Sequence, residues 1–130
     1  MTKRINYSSG AKWEDIVGYS RAVQVGNTLE VTGTVATHEN KVIGSGDVYV
    51  QTQFVLKKIE GVLNQAGFTI HDVVRTRIFV TDITQWEKVG KAHHEVFGKI
   101  KPATTMVEVS ALIDPEYLVE IEATAIKSGV

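Results

Sequence analysis

Residues 101–126 read KPATTMVEVSALIDPEYLVEIEATAI, and the fold turns on this stretch. Thr104–Val109 and Leu118–Ile126 alternate β-branched or apolar residues with polar ones at a period of two, so each reads as a β-strand with one buried face. Three carboxylates, Glu108, Glu120 and Glu122, lie inside these strands. A carboxylate is disfavoured in a strand unless it is solvated, paired or put to use. The rest of the chain has to account for them.

Immediately upstream, Thr84-Gln85-Trp86-Glu87 has the form of a capping box, in which hydroxyl and carboxylate satisfy free backbone N–H groups at a helix start. The helix it predicts runs to about Phe97, with Trp86, Val89, His93, Val96 and Phe97 as its buried stripe and Gly98 and Pro102 as stops. Val73–Thr81 precedes it as a strand with two unlike faces. Val74, Thr76, Ile78 and Val80 face the core; Val73, Arg75, Arg77 and Phe79 share the other side. Further back, Val55, Ile59, Val62, Leu63 and Ala66 recur at helical spacing between an Asp47 cap and a Gly67 stop. Thr34–Gly46 is loop with a turn at Glu39-Asn40, and Arg21–Val25 and Thr28–Gly33 form a hairpin about Gly26-Asn27. Lys3–Tyr7 is a short edge strand, and the remainder of residues 1–19 carries no clear pattern.

The predicted order is β-β-α-β-α-β-β, an α+β fold forming a single domain over residues 1–130, with a mixed sheet and two helices on one face. The uncovered face carries Arg75 and Arg77 beside Phe79, and subunit association is the simplest cover for it. A closed homo-oligomer would create clefts between subunits, where small-molecule sites commonly form.

Composition narrows the chemistry. With 43% hydrophobic and 22% charged residues the chain is an ordinary globular protein, and its formal charge of −1 argues against a dedicated nucleic-acid binder. There is no cysteine, so disulfides, thiolate metal sites and a cysteine nucleophile are excluded. No apolar run has the length of a signal peptide or membrane span, which predicts a cytoplasmic protein without membrane attachment. Nothing in the sequence calls for a cofactor or a metal ion.

Four stretches together resemble the reactive intermediate deaminase family, also called the Rid or YjgF family. They are Gly18-Tyr19-Ser20-Arg21-Ala22-Val23; Val31-Thr32-Gly33; Asp72–Thr76 with Val80-Thr81-Asp82; and Lys101-Pro102-Ala103 through Val107-Glu108-Val109 to Val119–Ala123. The resemblance implies a chorismate-mutase-like fold, a homotrimer, and clefts at the subunit interfaces. In the deaminating branch, an arginine directly after Pro-Ala binds the carboxylate of an imine or enamine derived from an amino acid, and a glutamate on the last strand activates water. The glutamate corresponds to Glu120. At the arginine position this chain has Thr104, which offers one neutral hydroxyl instead of two charge-assisted hydrogen bonds. That substitution argues against ordinary 2-imino-acid deaminase activity. Gly90 stands where the family often has asparagine, and Met106 where it often has cysteine. Tyr19 and Gly33 are retained, with Thr32 at the usual serine.

The candidate catalytic residue is therefore Glu120, and the candidate substrate-binding residues are Tyr19, Thr32, Gly33, Thr104, Met106, His93 and Trp13. Each has a plain structural alternative. Glu120 can be half of an interface ion pair with Arg75 or Arg77. Arg77 can stand in for the missing clamp or pair with Glu108 or Glu122. His93 is either a satisfied buried histidine or a cleft acid–base group, and it cannot share a metal with its neighbour His94 because adjacent helical residues point about 100° apart. Trp13 either packs or lines the cleft. Two functions follow: hydrolysis of an imine, enamine or related C–N bond with Glu120 positioning water, or non-catalytic metabolite sensing by the same trimer.

Overall fold

The computed structural model describes residues 3–128. The chain opens with β1 (Arg4–Tyr7), a short helix α1 (Lys12–Val17) and the hairpin strands β2 (Ala22–Val25) and β3 (Thr28–Thr34). A small hairpin, β4 (Thr37–His38) and β5 (Lys41–Val42), leads into α2 (Val48–Gln65). Next come β6 (Val73–Val80), α3 (Trp86–Phe97), β7 (Ala103–Glu108) and β8 (Val119–Ile126). The fold is α+β as expected, with α1 and the β4–β5 hairpin as additions to the predicted order. The turn at Glu39-Asn40 closes that hairpin, both residues taking positive φ (51° and 64°) as a tight primed turn requires.

Six strands form one mixed sheet in the order β1-β2-β3-β8-β6-β7. Only β6 and β7 are parallel neighbours; the other pairs are antiparallel. The two acidic strands are thus not adjacent, because β6 lies between them. Since β3 and β6 both run antiparallel to β8, they are parallel to each other, and α2 and α3 serve as the crossovers that parallel strands need. Along β8 burial alternates residue by residue: Val119, Ile121, Ala123 and Ala125 face the helices, and Glu120, Glu122 and Thr124 face the open side. The four inward residues pack with Leu29, Val31, Ile78, Val80, Val55, Ile59, Leu63, Val89 and Phe97 in one apolar cluster.

Helix α2 is built from the predicted local signals. The Asp47 carboxylate accepts from the Val50 N–H at 3.1 Å. At the other end the N–H of Phe68 reaches back to Leu63 O (2.9 Å) and that of Gly67 to Asn64 O (3.1 Å). This closure needs the left-handed φ of +82° at Gly67, which a side chain would strain, and it buries Phe68 against the core.

Three local expectations are corrected. The start of α3 is set by Asp82, whose carboxylate accepts from the Thr84 N–H and hydroxyl across a 3-10 turn at Ile83–Gln85, so Thr84 and Glu87 do not form a capping box. The capping box in this chain lies at Thr69 and Asp72. On α3, Val89, Ala92 and Phe97 are buried while Trp86 and Val96 are exposed, so its packing seam is narrower than its apolar pattern. In β6 a bulge between Val73 and Arg75 shifts the alternation. Val73 is buried as a result, and Val74 turns outward.

Among the described residues no helix is long and apolar enough to cross a membrane.

Candidate functional site

A second bulge places the carboxylate that the sequence singled out. On β3, Val31 pairs with Ala123 and Thr34 with Ile121, so Thr32 and Gly33 together oppose the single residue Glu122. The carbonyls displaced from the ladder are taken up locally. Thr34 donates its hydroxyl to Thr32 O (2.8 Å), and the Arg21 guanidinium donates to Gly33 O (3.1 Å). Glu120 leans over Gly33 so closely that a Cβ there would overlap its carboxylate. Only glycine gives that seat.

Burial pushes the Glu120 carboxyl above its ordinary value; neighbouring Glu122 adds to the rise and Arg21 opposes it. Among the described residues no cation pairs with Glu120 at salt-bridge distance. Arg77 is committed elsewhere, its Nε and Nη2 both 2.7 Å from Glu122 Oε1. Glu108 accepts from the Ile83 N–H at 3.0 Å. The three strand carboxylates are therefore an end cap, an ion pair, and a half-buried group seated on Gly33 that borders neither hollow described below.

Arg21 is the residue that sequence reasoning missed. It lies 3.8 Å from the buried carboxylate of Glu14, and its guanidinium carbon is 5.9 Å from the centre of the Tyr19 ring. Burial alone would raise Glu14, but donation from Ser9 and Ser8, with Arg21 nearby, outweighs it and leaves the carboxyl below its ordinary value. Arg21 thus joins α1, Tyr19, the β3 bulge and the surroundings of Glu120. In the sequence it shows only as a charge at the start of a strand, inside the family-like stretch of residues 18–23. Lys58 approaches from α2, donating to Thr37 O at 3.0 Å and Val35 O at 3.4 Å; burial, then Arg21, holds its amine below the usual range. Tyr19 and Thr32 also border a hollow of about 920 Å³ on the open face, with Arg4, Arg75, Arg77 and Glu122.

The remaining candidates gather on the helix side of the sheet. Thr104 Oγ1 is 2.8 Å from Thr76 Oγ1, which is 2.9 Å from Nε2 of His93. Thr104 also donates to Pro102 O at 3.1 Å. His93 packs on Phe97 at 4.7 Å between ring centres, and burial, followed by neighbouring His94, holds its imidazole below the ordinary value. A hollow of about 340 Å³ opens beside them, bordered by Gly90, His93, His94, Lys101 and Thr104. Met106 lies partly buried against the core. The alternation of residues 73–81 places Thr76 on the core face, where a polar side chain demands partners.

One protomer therefore holds two separate groups. Tyr19, Thr32, Gly33 and Glu120 converge on the open face through Arg21, and Thr104 and His93 converge on the other side through Thr76. Trp13 stands on α1, half exposed, with the Lys12 ammonium 5.2 Å from its ring, and borders neither hollow.

Comparison with known proteins gives a consistent answer. The family described as endoribonuclease L-PSP matches residues 9–127. A RutC family protein of Pyrococcus abyssi is 35% identical over 128 residues, spanning 98% of this chain and 99% of that protein. A protein of Acinetobacter baylyi named 3-aminoacrylate deaminase RutC is 32% identical over 108 residues, spanning 82% of this chain and 85% of its own. Among solved structures, a Mycobacterium tuberculosis member of the YjgF/YER057c/UK114 family superposes with a TM-score of 0.87 at 50% identity, covering 96% of this chain and 100% of the other.

Proposed function

This chain belongs to the endoribonuclease L-PSP family, which includes the RutC and YjgF proteins, and from that premise we propose that three copies join around their open sheet faces. The Tyr19–Thr32–Gly33–Glu120 group of one copy then faces the Thr104–His93 group of the next, with Met106 beside it, across a cleft for a small polar metabolite. Within this cleft the protein hydrolyses an imine, or an enamine through its imine form, and needs neither cofactor nor metal. Glu120 takes a proton from water as the water oxygen bonds to the imine carbon. Glu120 passes that proton to the nitrogen, and then the proton of the new hydroxyl, so that the C–N bond breaks, ammonia leaves and a carbonyl product remains.

The observation that carries this reading is the state of Glu120. It is half-buried on Gly33, made more basic by desolvation, and free of a cationic partner among the described residues. A base of raised pKa is better matched to neutral pH than an ordinary exposed carboxylate. The deaminase name of the Acinetobacter relative supports the reaction class. Thr104, joined to Thr76 and Pro102, supplies no fixed charge, which favours substrates other than ordinary 2-imino acids.

The test combines sedimentation with ammonia release from freshly generated imines, both 2-iminopropanoate and carboxylate-free ones. Three copies per particle and at least about a 100-fold loss of turnover in Glu120→Gln are expected. A monomer removes the cleft, and unchanged turnover in Glu120→Gln removes Glu120 from the mechanism. The absence of a fixed clamp equally favours a binding-only protein; saturable binding with no ammonia release from any imine selects that reading.

A further inference from the structure

The hollow between α3 and β7 has a polar wall that can be set in two ways. Its contact group is the Thr104 hydroxyl, 2.8 Å from Thr76 Oγ1, with His93 Nε2 behind it at 2.9 Å. Each hydroxyl has one proton to give. If His93 carries its proton on Nε2, it donates to Thr76, Thr76 donates to Thr104, and the Thr104 proton points outward to Pro102 O or to a bound acceptor. If Nε2 is bare, the order reverses: Thr104 donates inward and presents a lone pair to a bound donor. The contact can therefore meet either half of a hydrogen-bonding group.

Charge on the wall is small. His93, His94 and Phe97 lie in the last turns of α3, Gly98 is its C-cap and Gly90 lies about a turn before His93, so the hollow meets the negative end of the helix, which disfavours an anion. Lys101 is the one lysine or arginine among the described residues bordering the hollow, and it lies exposed at the rim, as does His94. Its ammonium is exposed and screened by solvent.

We propose that this hollow takes an uncharged head group of carboxamide type. Thr104 is its contact, and Thr76 and His93 are positioning residues that set the direction of the Thr104 hydroxyl. A carboxamide carries a C=O acceptor and an N–H donor side by side, matching both settings of the wall. The inference rests on the cleft reading above and adds the class of compound the cleft accepts.

The test uses two isosteric carbonyl probes, 2-oxobutanamide and 2-oxobutanoate, titrated calorimetrically into the oligomer at pH 7.5. The amide is expected to bind the wild type at least tenfold tighter than the carboxylate. Thr76→Val should weaken amide binding at least fivefold, Thr76→Ser should restore it to within twofold, and Thr104→Arg should reverse the preference. A wild type that prefers the carboxylate, or amide binding unmoved by Thr76→Val, overturns the inference while leaving the cleft intact. If neither probe binds the wild type or Thr104→Arg, both the cleft reading and this inference fall.

Discussion

Gly33→Ala tests the seat of the carboxylate most directly. A Cβ built at this position lies 3.0 Å from Cδ and 3.3 Å from Cγ of Glu120, and closer still to one of its oxygens. Ordinary carbon–carbon contacts settle near 3.5–4.0 Å, so the carboxyl must move by roughly half an ångström at Cδ and by more at its oxygens. The obstructing atoms are the far end of a flexible side chain, so the side chain yields and the backbone does not. A displacement of about 1 Å at a reacting group can cost about 100-fold in rate, or about 2.7 kcal/mol of barrier. The melting temperature, by contrast, should stay within a few degrees. A carboxyl pushed toward water is also less desolvated, so its raised pKa should fall and the acid limb of the kcat/KM–pH profile should move to lower pH. Turnover against pH, with thermal unfolding as the control, reads both effects. Wild-type turnover with an unmoved acid limb would refute the claim that Glu120 is held for use.

Three other consequences can be checked by stability alone. The Glu120 pKa is raised above its ordinary 4.5 in the folded protein, so its charged form opposes folding: stability is fully present below 4.5 and declines as pH rises through the folded value. Glu120→Gln should therefore melt a few degrees above wild type at pH 8 and coincide with it below pH 4.5. Glu14 has the opposite sign, since its folded carboxyl lies below the ordinary 4.5; Glu14→Ala should cost about 2–3 kcal/mol at pH 7 in urea unfolding, and progressively less as pH falls below 4.5. Gln51 is fully buried and joins Gly44 O, Glu116 O and Leu118 N, at 3.3, 2.8 and 2.8 Å. Gln51→Leu should lose about 2 kcal/mol, seen as a lower urea midpoint with an unchanged slope.

What could be read in advance was whatever short-range chemistry decides. Asp47, the apolar spacing of residues 55–66 and Gly67 specify α2 among themselves, and the alternation of residues 118–126 fixes which side of β8 is wet. The features that escaped depend on distant partners. Helix α1 has six residues and buries only Glu14, so it is held by Ser8, Ser9 and Arg21, not by any periodic face. Both bulges are set by pairing with β8, which the sequence of β3 or β6 cannot show by itself. The capping box at Thr84 failed because Asp82, two residues earlier, offers a charged acceptor to the same N–H group. For the site, Glu120 was visible as a charge out of place. Arg21 was not, because its importance comes from the carbonyl that the bulge turns toward it. The Thr104–Thr76–His93 chain draws on two strands and a helix, and only the assembled sheet brings them together.

The bulge at Thr32-Gly33 also separates what selection can act on. Gly33 belongs, with Thr32, to the two-residue step between the pairing of Val31 with Ala123 and that of Thr34 with Ile121. A chain shortened by this one residue would keep its apolar pairings and lose the carboxylate's seat together with the acceptor for Arg21. The position of the Glu120 carboxylate thus hangs on one residue whose removal leaves the apolar register of the sheet in place.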